Sequence, residues 1–139
     1  GLWLETQPVA DFFAMTPGQL GEAVWHDPHS AVAQAMMAPP QDETAQLEAY
    51  LLRMQHLSSA GKFLWPIPDK GLKKRIHRIT APTLLLWGQS DGLVPVAYAE
   101  EFQKHLAGAQ VTILPRCGHL PMYEDQAAFV GAVSGFLRA

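Results

Sequence analysis

An α/β fold is what this 139-residue sequence predicts, with a helical first half and a β-α-β-α unit after it. Three observations carry that expectation. From Ala81 onward two apolar runs, Thr83–Trp87 and Val111–Leu114, alternate with two segments of helical period, the pattern of a parallel sheet with crossover helices. Up to about residue 80 no segment reads as a strand. Asp91 and His119 each follow one of the two runs, at the strand ends where open α/β sheets collect their ligands and reactive groups.

The first half is justified element by element. Thr16-Pro17-Gly18-Gln19 predicts a helix start, with Thr16 as N-cap, Pro17 at the first helical position and Gln19 closing a capping box. Leu20, Ala23 and Val24 then share a face, and Pro28 is expected to end the helix. A short apolar segment, Ala31–Ala38, stops at Pro39-Pro40. Asp42 and Glu43 open a longer helix in which Leu47, Tyr50, Leu51, Met54 and Leu57 recur at helical spacing. Phe63, Leu64 and Trp65 lead into Pro66 and Pro68, an expected irregular crossing. Lys70–Ile79 predicts a further helix with Leu72, Ile76 and Ile79 inward.

The second half follows a different rhythm. Pro82 precedes Thr83–Trp87, a continuous apolar run of the kind found in a strand covered on both faces. Pro95 opens a helix with Tyr98, Ala99, Phe102 and Leu106 inward, and Gly108 is placed to cap it. Val111–Leu114 is the second strand, and Asp125 starts a last helix with Phe129, Val130, Val133, Phe136 and Leu137 as its apolar stripe. The crossover between the strands is expected to be right-handed.

Composition sets the outer limits. A 48% apolar content is that of an ordinary globular domain, and a net charge of −3 gives no sign of a nucleic-acid or membrane-surface partner. No apolar run approaches the ~18 residues of a membrane span, and the first residues lack the pattern of a signal peptide. Cys117 stands alone, which excludes an internal disulfide and fits a reducing, cytoplasmic setting. His26-Asp27-Pro28-His29 reads as a helix-ending turn rather than a metal site. Five of the ten basic residues fall in Lys70–Arg78, where alternation with Leu72, Ile76 and Ile79 predicts a solvated helix face. Neither a metal nor a cofactor is expected.

The chemistry rests on Asp91 and His119. Each lies in a glycine-containing turn, Gly88 and Gly92 around the acid and Gly118 before the histidine. A carboxylate and an imidazole at neighbouring strand ends, in the order Asp then His, are two of the three groups of a nucleophile–acid–base triad. There the acid orients the imidazole, which takes the nucleophile's proton and later returns it.

The stretch ITAPTLLLWGQSDGLVP followed by LPRCGHLPMYEDQAAFVGAVSGFL resembles the C-terminal end of an α/β-hydrolase, over Ile79–Leu137. The resemblance implies that Asp91 is the triad acid after the seventh strand, and His119 the base after the eighth. The upstream helices are similar, more loosely, to the mobile cap that many members insert after the sixth strand, with Lys62–Asp69 as its exit. It implies a helical cap over 1–69 and the C-terminal part of the catalytic domain over 70–139. The first half of that domain is expected outside this chain, as its structural partner.

The family's nucleophile sits on a G-x-S-x-G elbow, and that elbow supplies part of the oxyanion hole. The near match Gly131–Gly135 is one residue out of register and lies inside the last helix. Ser30, Ser58, Ser59 and Ser90 have no such context, and Cys117 reads as a small packed apolar group. The nucleophile is therefore expected outside this chain, which alone is predicted neither to hydrolyse a substrate nor to fold robustly.

The resemblance implies hydrolysis of a small-molecule ester or, second, of a carbon–carbon bond beside a ketone. Leu120-Pro121-Met122 lacks the aromatic that often follows the histidine in the epoxide and carbon–carbon branches. Two alternatives stand beside it: an upstream Asp nucleophile acting on epoxides or haloalkanes, and a non-catalytic binding protein on the same fold. Met15, Met36, Met37 and Met54 make the first half rich in adaptable apolar groups. Trp25, Trp65, Val94 and Leu120 are the candidate substrate-lining residues.

Overall fold

The computed structural model describes residues 2–67 and 70–138. Pro68 and Asp69, where the predicted crossing and cap exit end, lie outside the described residues. The elements run α1 (Pro17–Val24), α2 (Ala31–Met37), α3 (Glu43–Leu64), β1 (Leu84–Gly88), α4 (Ala97–His105), β2 (Gln110–Leu114), α5 (Pro121–Glu124) and α6 (Gln126–Arg138). Strands β1 and β2 pair in parallel, with Leu84 opposite Gln110 and Gly88 opposite Leu114. Helix α4 makes the crossover between them, so the expected β-α-β-α unit is present. The single turn α5, opened by Pro121, is an addition too short to leave a periodic signal.

Local side-chain chemistry starts the first three helices. Gln19 accepts the Thr16 N–H at 2.9 Å while Thr16 Oγ1 accepts the Gln19 N–H at 3.3 Å, the reciprocal capping box. Ser30 caps α2, and the Asp42 carboxylate accepts the Ala45 N–H at 2.8 Å at the head of α3. Helix α1 stops at Val24, however, and not at Pro28. Trp25 leaves it in extended conformation with only 4% of its surface exposed, and the chain turns to meet the loops beyond the two strands.

Two further expectations are corrected. Phe63 and Leu64 belong to α3, which has no buried residue; Leu47, Tyr50, Leu51 and Met54 are all about half exposed. Leu52, adjacent to the predicted stripe, is exposed as well, so apolar groups spread around the axis and define no single inward face. Lys70–Ile79 is not one α-helix but two 3₁₀ turns, Leu72–Lys74 and Ile76–Arg78. Gly71 enters in the left-handed region at φ 72°, and Arg75 at φ −127° interrupts the helical path between them. Ile76 is buried there while Ile79 is exposed.

The core lies under α4. Ile76, Leu106 and Ala109 form its centre, with Leu72, Leu85 and Phe102 packed against it. Each large apolar side chain so buried contributes roughly 1.5–3 kcal/mol. Tyr98 and Ala99 are fully enclosed, and the Tyr98 hydroxyl accepts the Leu4 N–H at 2.9 Å. Glu101, on the same helix, is held by Lys73 at 3.0 Å and Lys104 at 3.1 Å. On α6, Phe129, Val133 and Phe136 are half-buried, while Val130 and Leu137 face outward.

Candidate active site

Because β1 and β2 end in register, the turns after Gly88 and Leu114 leave the sheet side by side. Their closeness depends on glycine. A methyl group at Gly88 would overlap the Gly118 carbonyl oxygen and stand 2.5 Å from that of Cys117. The two turns are also bonded directly, Ser90 N–H to the Cys117 carbonyl at 2.8 Å and Gln89 N–H to that of Leu114 at 3.0 Å.

This packing brings together the two residues singled out from the sequence. His119 Nδ1 lies 2.9 Å from Asp91 Oδ2, while Asp91 Oδ1 accepts the N–H groups of Leu93 and Val94, each at 2.9 Å. One carboxylate oxygen thus fixes its own turn and the other faces the imidazole. The Asp91 side chain is 6% exposed and that of His119 is 40% exposed. The Asp91 hydrogen bond raises the His119 pKa above the usual imidazole value; burial opposes the rise and the carboxylate's charge adds to it.

With Nδ1–H donated to the carboxylate, Nε2 is the basic nitrogen. It has no hydrogen-bond partner among the described residues. The pair borders a cavity of about 260 Å³ whose walls include Leu86, Trp87, Val94, Met122 and Phe129. The Trp87 indole N–H donates to the Val94 carbonyl at 2.9 Å, which steadies that wall.

The other candidate lining residues are distributed. Val94 also borders a second, apolar cavity of about 260 Å³, together with Val9, Phe12, Ile67, Tyr98 and Phe102. Trp25 and Leu120 share a groove with Met36, Met37 and Arg53. Trp65 borders a separate hollow, where its ring meets Phe13 edge-on at 5.9 Å. Of the four, the structure brings Val94 to the cavity of the Asp91–His119 pair.

The remaining polar candidates lie elsewhere in the fold. Ser30 caps α2, Ser58 and Ser59 lie within α3, and Ser134 lies within α6. Ser90 Oγ is 2.8 Å from His26 Nδ1. Cys117 is fully buried, and burial, then the nearby carboxylates of Glu124 and Asp125, push its thiol pKa up. His26 and His29 belong to no cluster of metal-binding side chains among the described residues. Of the basic groups in 70–78, the Lys70 ammonium donates to the Phe63 carbonyl at 2.8 Å, Lys73 pairs with Glu101, and Arg75 donates to the Lys70 carbonyl at 3.1 Å. Among the described residues, no helix is long and apolar enough to cross a membrane.

What the sequence did not reveal is the role of the segment leaving α1. The Ala23 carbonyl accepts the Gly92 N–H at 2.9 Å, and the Val24 carbonyl accepts the His119 N–H at 2.7 Å. Backbone groups at the end of a helix thereby hold both turns. No side-chain pattern announces such bonds.

A parallel sheet with an acid and a histidine on adjoining strand-end turns is the architecture of a hydrolase fold. The model of the alpha/beta hydrolase family matches residues 1–132, and the chain belongs to that family. Among its relatives is the 2-hydroxy-6-oxononadienedioate/2-hydroxy-6-oxononatrienedioate hydrolase of Cupriavidus pinatubonensis, 36% identical over 95 residues that make up 67% of this chain and 33% of that protein. The chain spans about a third of the length of the curated relatives it matches. A solved hydrolase from Pseudomonas aeruginosa PA01 superposes with a TM-score of 0.62 at 29% identity, over 94% of this chain and 46% of that one. The CarC serine hydrolase involved in carbazole degradation gives 0.51 at 30% identity, over 69% and 35%.

Proposed function

We propose that Asp91 and His119 are the acid and base of a serine-type triad that hydrolyses a small molecule at a carbonyl carbon. The observation that carries this reading is the 2.9 Å contact between His119 Nδ1 and Asp91 Oδ2, which leaves Nε2 as the basic atom beside a cavity. On this reading the serine hydroxyl comes from outside this chain, which spans about a third of such a relative's length. His119 Nε2 takes the hydroxyl proton as the oxygen attacks the carbonyl. The imidazolium, stabilised by Asp91, then gives that proton to the leaving group. A water, deprotonated by the same nitrogen, then attacks the acyl carbon; the bond to the serine oxygen breaks, and Nε2 returns the proton to that oxygen.

The name of the CarC relative, a serine hydrolase at 30% identity, favours serine over aspartate as the nucleophile. The oxononadienedioate hydrolases among the relatives favour a carbon–carbon bond beside a ketone as the bond cleaved, ahead of the ester expected from the sequence. Val94 is proposed to line the reacting groove, with Leu120 and Trp25 on a neighbouring one. The test is His119→Ala in the natural protein that carries this chain, assayed on a model ester and on a 1,5-diketone with a cleavable carbon–carbon bond. Turnover of the preferred substrate is expected to fall by at least ~10³-fold. Unchanged turnover of both substrates would overturn the triad reading.

A further inference from the structure

Glu124 lies outside the Asp91–His119 pair, yet both of its carboxylate oxygens are committed to the backbone that carries it. Oε2 accepts the Gly118 N–H at 2.6 Å, and Oε1 accepts the His26 N–H at 2.6 Å. Gly118 supplies the amide immediately before His119. His26 is two residues beyond Val24, whose carbonyl accepts the His119 N–H. One side chain on α5 therefore clamps the histidine turn to the segment leaving α1. That segment in turn holds the aspartate turn through Ala23 and Gly92.

The junction is tight. A methyl group at Gly118 would overlap the Val24 carbonyl oxygen and stand 2.9 Å from the His26 nitrogen. The His119 side chain is 40% exposed, so packing alone holds the imidazole weakly, and its aim depends on the backbone beneath it. Short bonds from N–H groups to a charged carboxylate are the stronger kind.

We infer that Glu124 is the positioning residue that aims His119 at Asp91, by fixing the amide before the histidine to the backbone that leaves α1. The inference rests on the acid–base reading given above. Glutamate suits this task on simple grounds. Glutamine has one acceptor oxygen, and its NH₂ would face an N–H. Aspartate is one methylene shorter, and cannot keep both bonds without movement. The titratable and charged groups around the junction are Asp91 on the β1 turn, His26 and Asp27 after α1, Arg116 and the Cys117 thiol after β2, and Asp125 after α5.

The test compares Glu124→Gln and Glu124→Asp with the unaltered natural protein. For Glu124→Gln, kcat is expected to fall about 10²-fold, the cost of a misplaced catalytic group, with KM little changed. The acid limb of the kcat/KM profile should move down in pH as His119 loses its alignment with Asp91. By NMR, the His119 imidazole should titrate closer to ~6.5. Glu124→Asp should fall between, and carries the comparison alone if the glutamine variant does not fold. Where His119→Ala abolishes turnover, unchanged kcat in the Glu124 variants would overturn the inference. So would a loss of kcat with the His119 titration and the pH limb unmoved, since that is mere loss of stability. If His119→Ala leaves turnover intact, the acid–base reading fails. The His119 titration still decides whether Glu124 sets the histidine.

Discussion

Replacing Asp91 by asparagine separates the two tasks of its carboxylate. The asparagine oxygen can keep the Leu93 and Val94 N–H groups, both at 2.9 Å in the native turn. Its NH₂ then faces His119 Nδ1, which becomes an acceptor, and the hydrogen moves to Nε2. The base is lost while the turn survives. In serine hydrolysis the equivalent change lowers kcat by about 10⁴, and a similar loss is expected here. The stability cost should be small, near the ~1 kcal/mol of one hydrogen bond. Asp91→Ala differs, because it strands two backbone N–H groups at about 1–3 kcal/mol each, about 2–6 kcal/mol in all. Steady-state kinetics, urea unfolding of both variants and the ¹⁵N shifts of His119 check each part. Wild-type kcat in Asp91→Asn, or equal stability of the two variants, would refute the reasoning.

Other expectations follow from the same geometry. The raised pKa of His119 means that its pairing with Asp91 stabilises the fold fully below about pH 6.5, and that this stabilisation is lost as pH rises through the folded value. Catalysis runs the other way, since the base works when neutral; thermal melts and kcat/KM across pH should show opposite trends. Gly88→Ala drives a methyl group into the Gly118 and Cys117 carbonyls, so a loss of about 1–3 kcal/mol or more is expected in melting experiments. Cys117, fully buried and with its thiol pKa pushed up, should resist iodoacetamide in native buffer and react fully in denaturant, as read by mass spectrometry.

The legible parts of this fold are those fixed by neighbours in sequence. Thr16 with Gln19, and Asp42 with Ala45, satisfy helix-end amides three residues away, so residue type and spacing reveal them. The apolar runs of β1 and β2 are equally local, and Asp91 and His119 follow from where those runs stop. The early end of α1 is not local. It depends on bonds from Ala23, Val24 and His26 to residues far along the chain, such as the His26–Glu124 contact across 98 positions. Glu124 looks like any surface carboxylate in the sequence, because its partners are backbone amides. The spacing of Leu72, Ile76 and Ile79 suited a helix, but the left-handed Gly71 and the kink at Arg75 set a tighter path.

Val94 borders two hollows, one beside His119 and one lined by Val9, Phe12 and Tyr98. Its backbone is pinned on both sides, its N–H by Asp91 and its carbonyl by the Trp87 indole, so the side chain works as a party wall on fixed foundations. Trimming it to alanine enlarges the room on both sides at once, and thickening it to isoleucine narrows both. Any change at Val94 that suits one compartment is therefore felt in the other, whereas Phe129 or Phe12 borders one alone.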